Sequence, residues 1–215
     1  MTLNKNEYFE AIEKSLSNAE ELIEEGEILA KHSKYARAYT LFQFSIEEIG
    51  KAFLTFQFVL YEDIEDVQET KQFFKKFRDH ISKTESSQSI DFMFALSSNI
   101  SDFTKKLLEN SMSEFDKVHI SNNYKNYSLY TSFIEDKFYK PSEIITKEKL
   151  DKITYYAKLR LQIAKPFIKI GVENYDLLFK TRNDLDEEEM SKETQKRIDK
   201  LLEQNFKNID NQQES

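Results

Sequence analysis

The sequence predicts an all-α protein, and three observations carry that expectation. Only 3 Gly and 2 Pro occur among 215 residues, far below ordinary usage, whereas a β-rich chain of this length needs many turn residues. Apolar residues recur at helical spacing over long runs. The clearest run is 36–60, where Phe42, Ile46, Ile49, Phe53, Phe56 and Leu60 follow one another in steps of four and three and form one continuous stripe. Leu41, Ala52 and Val59 widen that stripe, and Phe44 and Phe58 lie near the opposite face. A helix apolar on so many sides is a central one, with neighbours all around it.

The elements follow in order. Asn4 with Glu7 three residues on has the form of a capping box and opens a first helix, about 5–32. Ile12, Leu16, Ala19, Ile23 and Ala30 mark its apolar side. The central helix is expected over 34–61. A third, about 64–84, turns Val67, Phe73, Phe74, Phe77 and Ile81 inward, and the serines at 86, 87 and 89 end it. A fourth follows over 90–110. Residues 111–145 carry Asn122, Asn123, Asn126, Ser128, Ser132 and Pro141, which interrupt any period, yet tyrosines recur at 124, 127, 130 and 139. So many aromatics argue for a long ordered connection rather than disorder. Thr146 caps a fifth helix, 147–180, which Pro166 should kink. The last stretch, 183–215, is charged, with a weak stripe at Ile198, Leu202, Phe206 and Ile209. It is expected to be a tail helix outside a main domain of residues 1–182.

Composition bounds the function. With 18 Phe, 11 Tyr and no Trp, the core is phenylalanine-rich; with no Cys, disulfides and thiolate chemistry are absent. No apolar run reaches the ~18 residues of a membrane span, and the N-terminus lacks a signal peptide's layout. A cytoplasmic protein that does not engage membranes is expected. The formal net charge of −8 argues against a broad basic surface for DNA, while leaving room for a small basic pocket. No glycine-rich phosphate loop, nucleophile elbow or ligand spacing for a metal stands in the chain, so no cofactor and no metal are expected.

The candidate chemistry lies in a few polar residues. Glu47, Glu48 and Lys51 interrupt the middle of the most apolar helix, and either glutamate can reach the lysine. Charges there are costly unless paired. On the third helix His80 and Lys83 are three apart on one face. Two antiparallel helices would bring Glu48, Lys51, His80 and Lys83 together. That set suits metal-independent cleavage of RNA: His80 or Glu48 takes the proton of a ribose 2′-hydroxyl, the other assists the leaving group, and the lysines stabilise charge on the phosphate oxygens. The competing readings are an ordinary helix ion pair at Glu47–Lys51 and a structural histidine. His32 and His119 have no comparable company.

Here the residues resemble a known family. Ser45-Ile46-Glu47-Glu48-Ile49-Gly50-Lys51-Ala52 resembles the Ser-x-Glu-Glu-x-Gly-Lys-Ala signature of the AbiV abortive-infection proteins, and follows an Ala-Arg-Ala-Tyr-x-Leu run at Ala36 to Leu41. Asp79-His80-Ile81-Ser82-Lys83 is similar to the family's Asp-His-x-x-Lys element. Lys125-Asn126-Tyr127-Ser128-Leu129-Tyr130, before Pro141-Ser142, is similar to its third block. The resemblance implies a HEPN-like bundle of about five to six helices, often a homodimer, in a bacterial anti-phage system that arrests growth or translation after infection. It also implies RNA as a candidate target and a phage-encoded protein as a candidate trigger. Where HEPN nucleases carry Arg-x4-6-His, this chain offers Lys125, Asn126 and Tyr130; Asn126 and Tyr130 are the expected substrate contacts. Two functions therefore stay open, a HEPN-type ribonuclease and a non-catalytic helical module that blocks translation or binds a phage or host protein.

Overall fold

The computed structural model describes residues 3–95 and 118–181. Among them are eight helices and one two-stranded hairpin, an all-α bundle. Helix α1 (Lys5–Lys31) opens as its sequence predicts: the Asn4 side chain accepts the Asn6 and Glu7 N–H groups at 2.9 and 3.2 Å, and Glu7 accepts the Asn4 N–H at 2.7 Å. Three residues, one of them Ser33 with a φ of 58°, turn the chain into α2 (Tyr35–Tyr61). So short a turn makes the two helices an antiparallel pair, and Ser45 Oγ donates to the Ala19 carbonyl across it at 2.8 Å.

Helix α2 is the axis of the fold. From Ala38 to Leu60 none of its residues is exposed. Its lower half, Phe53, Phe56 and Val59, packs on Ile163 and Ile168; its upper half, Phe42 and Ile46, packs with Ile145, Leu150 and Ala157. Rings close the lower end: Phe58 stacks on Phe73 at 4.4 Å, and Tyr8 meets both edge-on. Such pairs add about 0.5–1.5 kcal/mol each beyond their buried area.

The expected third helix is divided. Helix α3 (Val67–Arg78) ends at Asp79, whose backbone is extended, and α4 (His80–Ala95) begins there. Asp79 makes the break by capping α4: its carboxylate accepts the Ser82 N–H at 2.7 Å and the Ser82 hydroxyl at 2.8 Å. The backbone N–H of Ser82 holds that carboxyl below its usual range. The serines at 86, 87 and 89 do not end a helix; α4 runs through them, with Ser89 Oγ satisfied by the Glu85 carbonyl one turn back. Val67, expected inside, is 68% exposed. Beyond Ala95 the expected 90–110 helix lies outside the described residues.

The connection expected over 111–145 is built, from residue 118, of helix α5 (Val118–Leu129), strands β1 (Ser132–Ile134) and β2 (Lys137–Tyr139), and the short α6 (Pro141–Ile144). The asparagines do not prevent α5, because its inward face is a polar stripe, Lys125 and Ser128, rather than an apolar one. Helix α7 (Lys147–Glu173) starts on the Thr146 cap and continues past Pro166. It stops at Asn174, and α8 (Tyr175–Thr181) follows. The charged tail, 183–215, lies outside the described residues.

Candidate functional site

Three helices meet around one carboxylate. It belongs to Glu47, in the middle of α2, and its side chain is only 4% exposed. His80 Nδ1, at the first residue of α4, lies 2.6 Å from Oε2. Lys83 Nζ, one turn further along α4, is 3.1 Å from the same oxygen. Lys125 Nζ, from α5, donates to Oε1 at 2.8 Å. Both lysine side chains are as buried as the glutamate, at 5% and 6% exposure, whereas the His80 side chain is 56% exposed.

Local sequence sets each position. Thr40, Gln43, Glu47 and Gly50 recur at helical spacing and are all buried; they make a polar and small-residue strip down α2. The Asp79 cap fixes the first turn of α4 and so the His80–Lys83 spacing. Gly50 lets the two helices touch: a Cβ built there would fall 1.9 Å from the Lys83 carbonyl oxygen. Helix α5 is keyed to α2 by the Thr40 and Ser128 hydroxyls, 2.6 Å apart, and by Arg37, which donates to the Ser128 and Leu129 carbonyls at 3.2 and 2.9 Å. The far end of α4 is tied down too, where Arg160 of α7 grips Asp91 through both oxygens at 2.6 to 3.1 Å.

The Gly50 contact yields a sharp expectation. In an exposed helix, Gly→Ala gains up to about 1 kcal/mol of helix propensity. Here the methyl must push α4 off α2, and overpacking of that kind costs about 1–3 kcal/mol or more. Gly50→Ala is therefore expected to lower the urea midpoint and to weaken the Lys83–Glu47 pair. A raised midpoint would contradict the close approach.

Burial pushes the Glu47 carboxyl up, but hydrogen bonds from Lys125 and His80 and the charges of Lys125 and Lys83 outweigh it, holding it below the usual carboxylate range. An ionised carboxylate has no proton to give, so His80 Nδ1 carries the hydrogen between them. Lys83 Nζ also lies 3.2 Å from Nδ1, and in the neutral ring this tautomer places the lone pair on Nε2. The Glu47–His80 pair has the layout in which a buried carboxylate fixes the tautomer and orientation of a proton-transferring imidazole. Two buried ammonium groups face the Glu47 carboxylate, and the Asp79 carboxylate beside them also faces His80 and Lys83.

Of the residues picked from sequence, the structure brings His80 and Lys83 together, but on Glu47 rather than Glu48. Glu48 pairs with Lys51 at 2.5 Å, and Lys51 Nζ lies 5.4 Å from the centre of the Phe77 ring. One residue is about 100° of helix, so Glu47 and Glu48 face different neighbours. Asn126 and Tyr130 are exposed on and just after α5. Glu47 and Lys125, which stand out in the sequence but are not among its expected catalytic or substrate-binding residues, complete the cluster. The signal for Glu47 was the Thr40–Gln43–Glu47–Gly50 strip, too polar to be a hydrophobic stripe and too uncharged to be a solvent face. Among the described residues no group of His, Asp and Glu is arranged to hold a metal ion, and no helix is long and apolar enough to cross a membrane.

The family to which this helical bundle belongs is given by comparison of the chain with family models. The HEPN_AbiV model, described as AbiV, matches residues 7–162. That is well over half the chain: the protein belongs to the AbiV family of abortive-infection type. The matched span contains Glu47, His80, Lys83 and Lys125. Neither the curated proteins nor the solved structures contain a match to this chain.

Proposed function

We propose that this protein is an anti-phage effector that arrests growth after infection by cleaving RNA, with Glu47 and His80 as its working pair. The observation that supports it most is the exposed imidazole held at Nδ1 by a buried carboxylate. In this reading His80 Nε2 takes the proton from a ribose 2′-hydroxyl, and the freed oxygen attacks the neighbouring phosphorus. The bond to the 5′-oxygen breaks, that oxygen takes a proton from water, and a 2′,3′-cyclic phosphate remains. Lys83 and Lys125 are positioning residues; they hold Glu47 ionised. Asn126 and Tyr130, exposed on the segment that carries Lys125, are the substrate contacts. Glu48 and Lys51 neutralise each other and seat α3 through Phe77.

The abortive-infection family supplies the biological half of the proposal: a phage-encoded protein as trigger and the cytoplasm as the place of action. HEPN domains often dimerise, and a homodimer is part of the reading. The second reading, a non-catalytic module that stops translation by binding, is supported by the same cluster taken as architecture, since buried ion pairs also fix helix register. Total RNA from cells expressing the protein, with and without phage infection, separates them. New discrete fragments on infection are expected. Intact RNA with translation nonetheless stopped would overturn cleavage in favour of binding.

A further inference from the structure

We propose that the edge of β2, open among the described residues, pairs with the same edge of a second copy of this chain, antiparallel and centred on Phe138. This deepens the dimer reading above, and rests on it, by naming the surface. Glu135 and Asp136 form the two-residue turn with φ of 47° and 61°, the mirror-image turn that a tight hairpin needs. Ser132 opposes Tyr139, Phe133 opposes Phe138 and Ile134 opposes Lys137. In such a hairpin the residues flanking the turn exchange the hydrogen bonds, so the N–H and C=O of Phe138 point outward, away from β1.

The side chains are the reverse of an ordinary surface hairpin. Ser132, Ile134 and Tyr139 are half-buried, while Phe133 and Phe138 are 60% and 77% exposed, with ring centres 4.8 Å apart. Proteins avoid leaving an exposed apolar pair on an open edge. An antiparallel pairing centred on Phe138 lines up four phenylalanines on one face, Phe133 and Phe138 from each copy. It sets Asp136 opposite Lys140 of the second copy, twice by symmetry, and Lys137 opposite Tyr139, so no like charges meet. Charge and pattern thus make the edge complementary to itself, as a two-fold interface requires. Three-residue strands bury less than the ~800 Å² per partner of a standard interface, so the dimer should dissociate on dilution.

The chain has no cysteine, which gives a clean probe. A directly opposed, hydrogen-bonded pair has Cα atoms about 5.5 Å apart, within disulfide range. Phe138→Cys is expected to form a covalent dimer on mild oxidation, and Tyr61→Cys, exposed at the end of α2, is not. In sedimentation velocity, Phe138→Ser and Lys140→Asp should each weaken the dimer about 10-fold or more with unchanged far-UV circular dichroism. A wild-type dimer indifferent to both substitutions, with no cross-link at 138, would overturn this surface and leave the dimer reading standing. A wild type that stays monomeric at about 1 mM would overturn both. Loss of RNA binding by a Phe138→Ser protein that dimerises like the wild type would assign the phenylalanines to nucleic acid instead and overturn the proposal.

Discussion

Glu47→Gln is expected to cost about 3–5 kcal/mol of folding stability, because it strips the counter-charge from two lysines buried beside it. For a chain of this size each kcal/mol lowers the melting temperature by roughly 2–4 °C, so the loss is large enough to read by calorimetry. Most of it comes from the stranded ammonium groups, and a companion variant isolates that term. Replacing Glu47 by Leu and both Lys83 and Lys125 by Met removes all three charges at similar volume. Such apolar replacements of buried ion clusters are often neutral or stabilising. The triple variant should therefore recover most of the stability that Glu47→Gln loses, while remaining inactive. Failure to recover it would mean that the cluster does more for the fold than balance charge.

The same carboxylate sets an acid limit. Its folded pKa lies below the ordinary 4.5, so its contribution to stability is fully present above about pH 4.5 and is lost as pH falls through the folded value. Glu47→Gln, having nothing to titrate there, should show a shallower loss of stability in that window. Equal slopes for wild type and variant as pH falls below about 4.5 would contradict the pairing.

His80→Ala is expected to behave in the opposite way, losing activity with little loss of fold. Its ring is more than half exposed, and Glu47 keeps Lys83 and Lys125 as partners when the ring is removed. A stability change of about 1 kcal/mol follows from one lost hydrogen bond. Removing a general base costs about 10²–10⁴-fold in rate, enough to abolish protection in a plaque assay. Protection that survives at near wild-type level in a well-folded His80→Ala protein would remove the histidine from the chemistry.

The bundle could be read from the chain because its signals are local. The apolar stripe from Phe42 to Leu60, the Asn4–Glu7 cap and the scarcity of glycine each name a helix without knowledge of its neighbours. The site was half legible. His80 and Lys83 share a face of one helix, and sequence spacing gives that directly. Which of Glu47 and Glu48 they meet depends on how α4 rolls against α2, and Gly50 decides that by allowing the Lys83 backbone to touch. Lys125 was hidden for a different reason: α5 buries polar groups, so no apolar period announces it. The hairpin was hidden because Glu135 and Asp136 occupy turn positions usually given to Asn and Gly. The division at Asp79 was legible in principle, since an aspartate three residues before Ser82 has the spacing of a cap.

The central claim is that Glu47 and His80 make this protein an RNA-cleaving enzyme needing no metal. The most direct test is to incubate purified protein with a 5′-labelled RNA in excess EDTA and to identify the ends of the products. The account predicts fragments with 2′,3′-cyclic phosphate and 5′-hydroxyl ends, formed by the wild type and absent with His80→Ala. Cleavage that needs a divalent cation, 5′-phosphate ends, or no cleavage by protein that still arrests growth would contradict it.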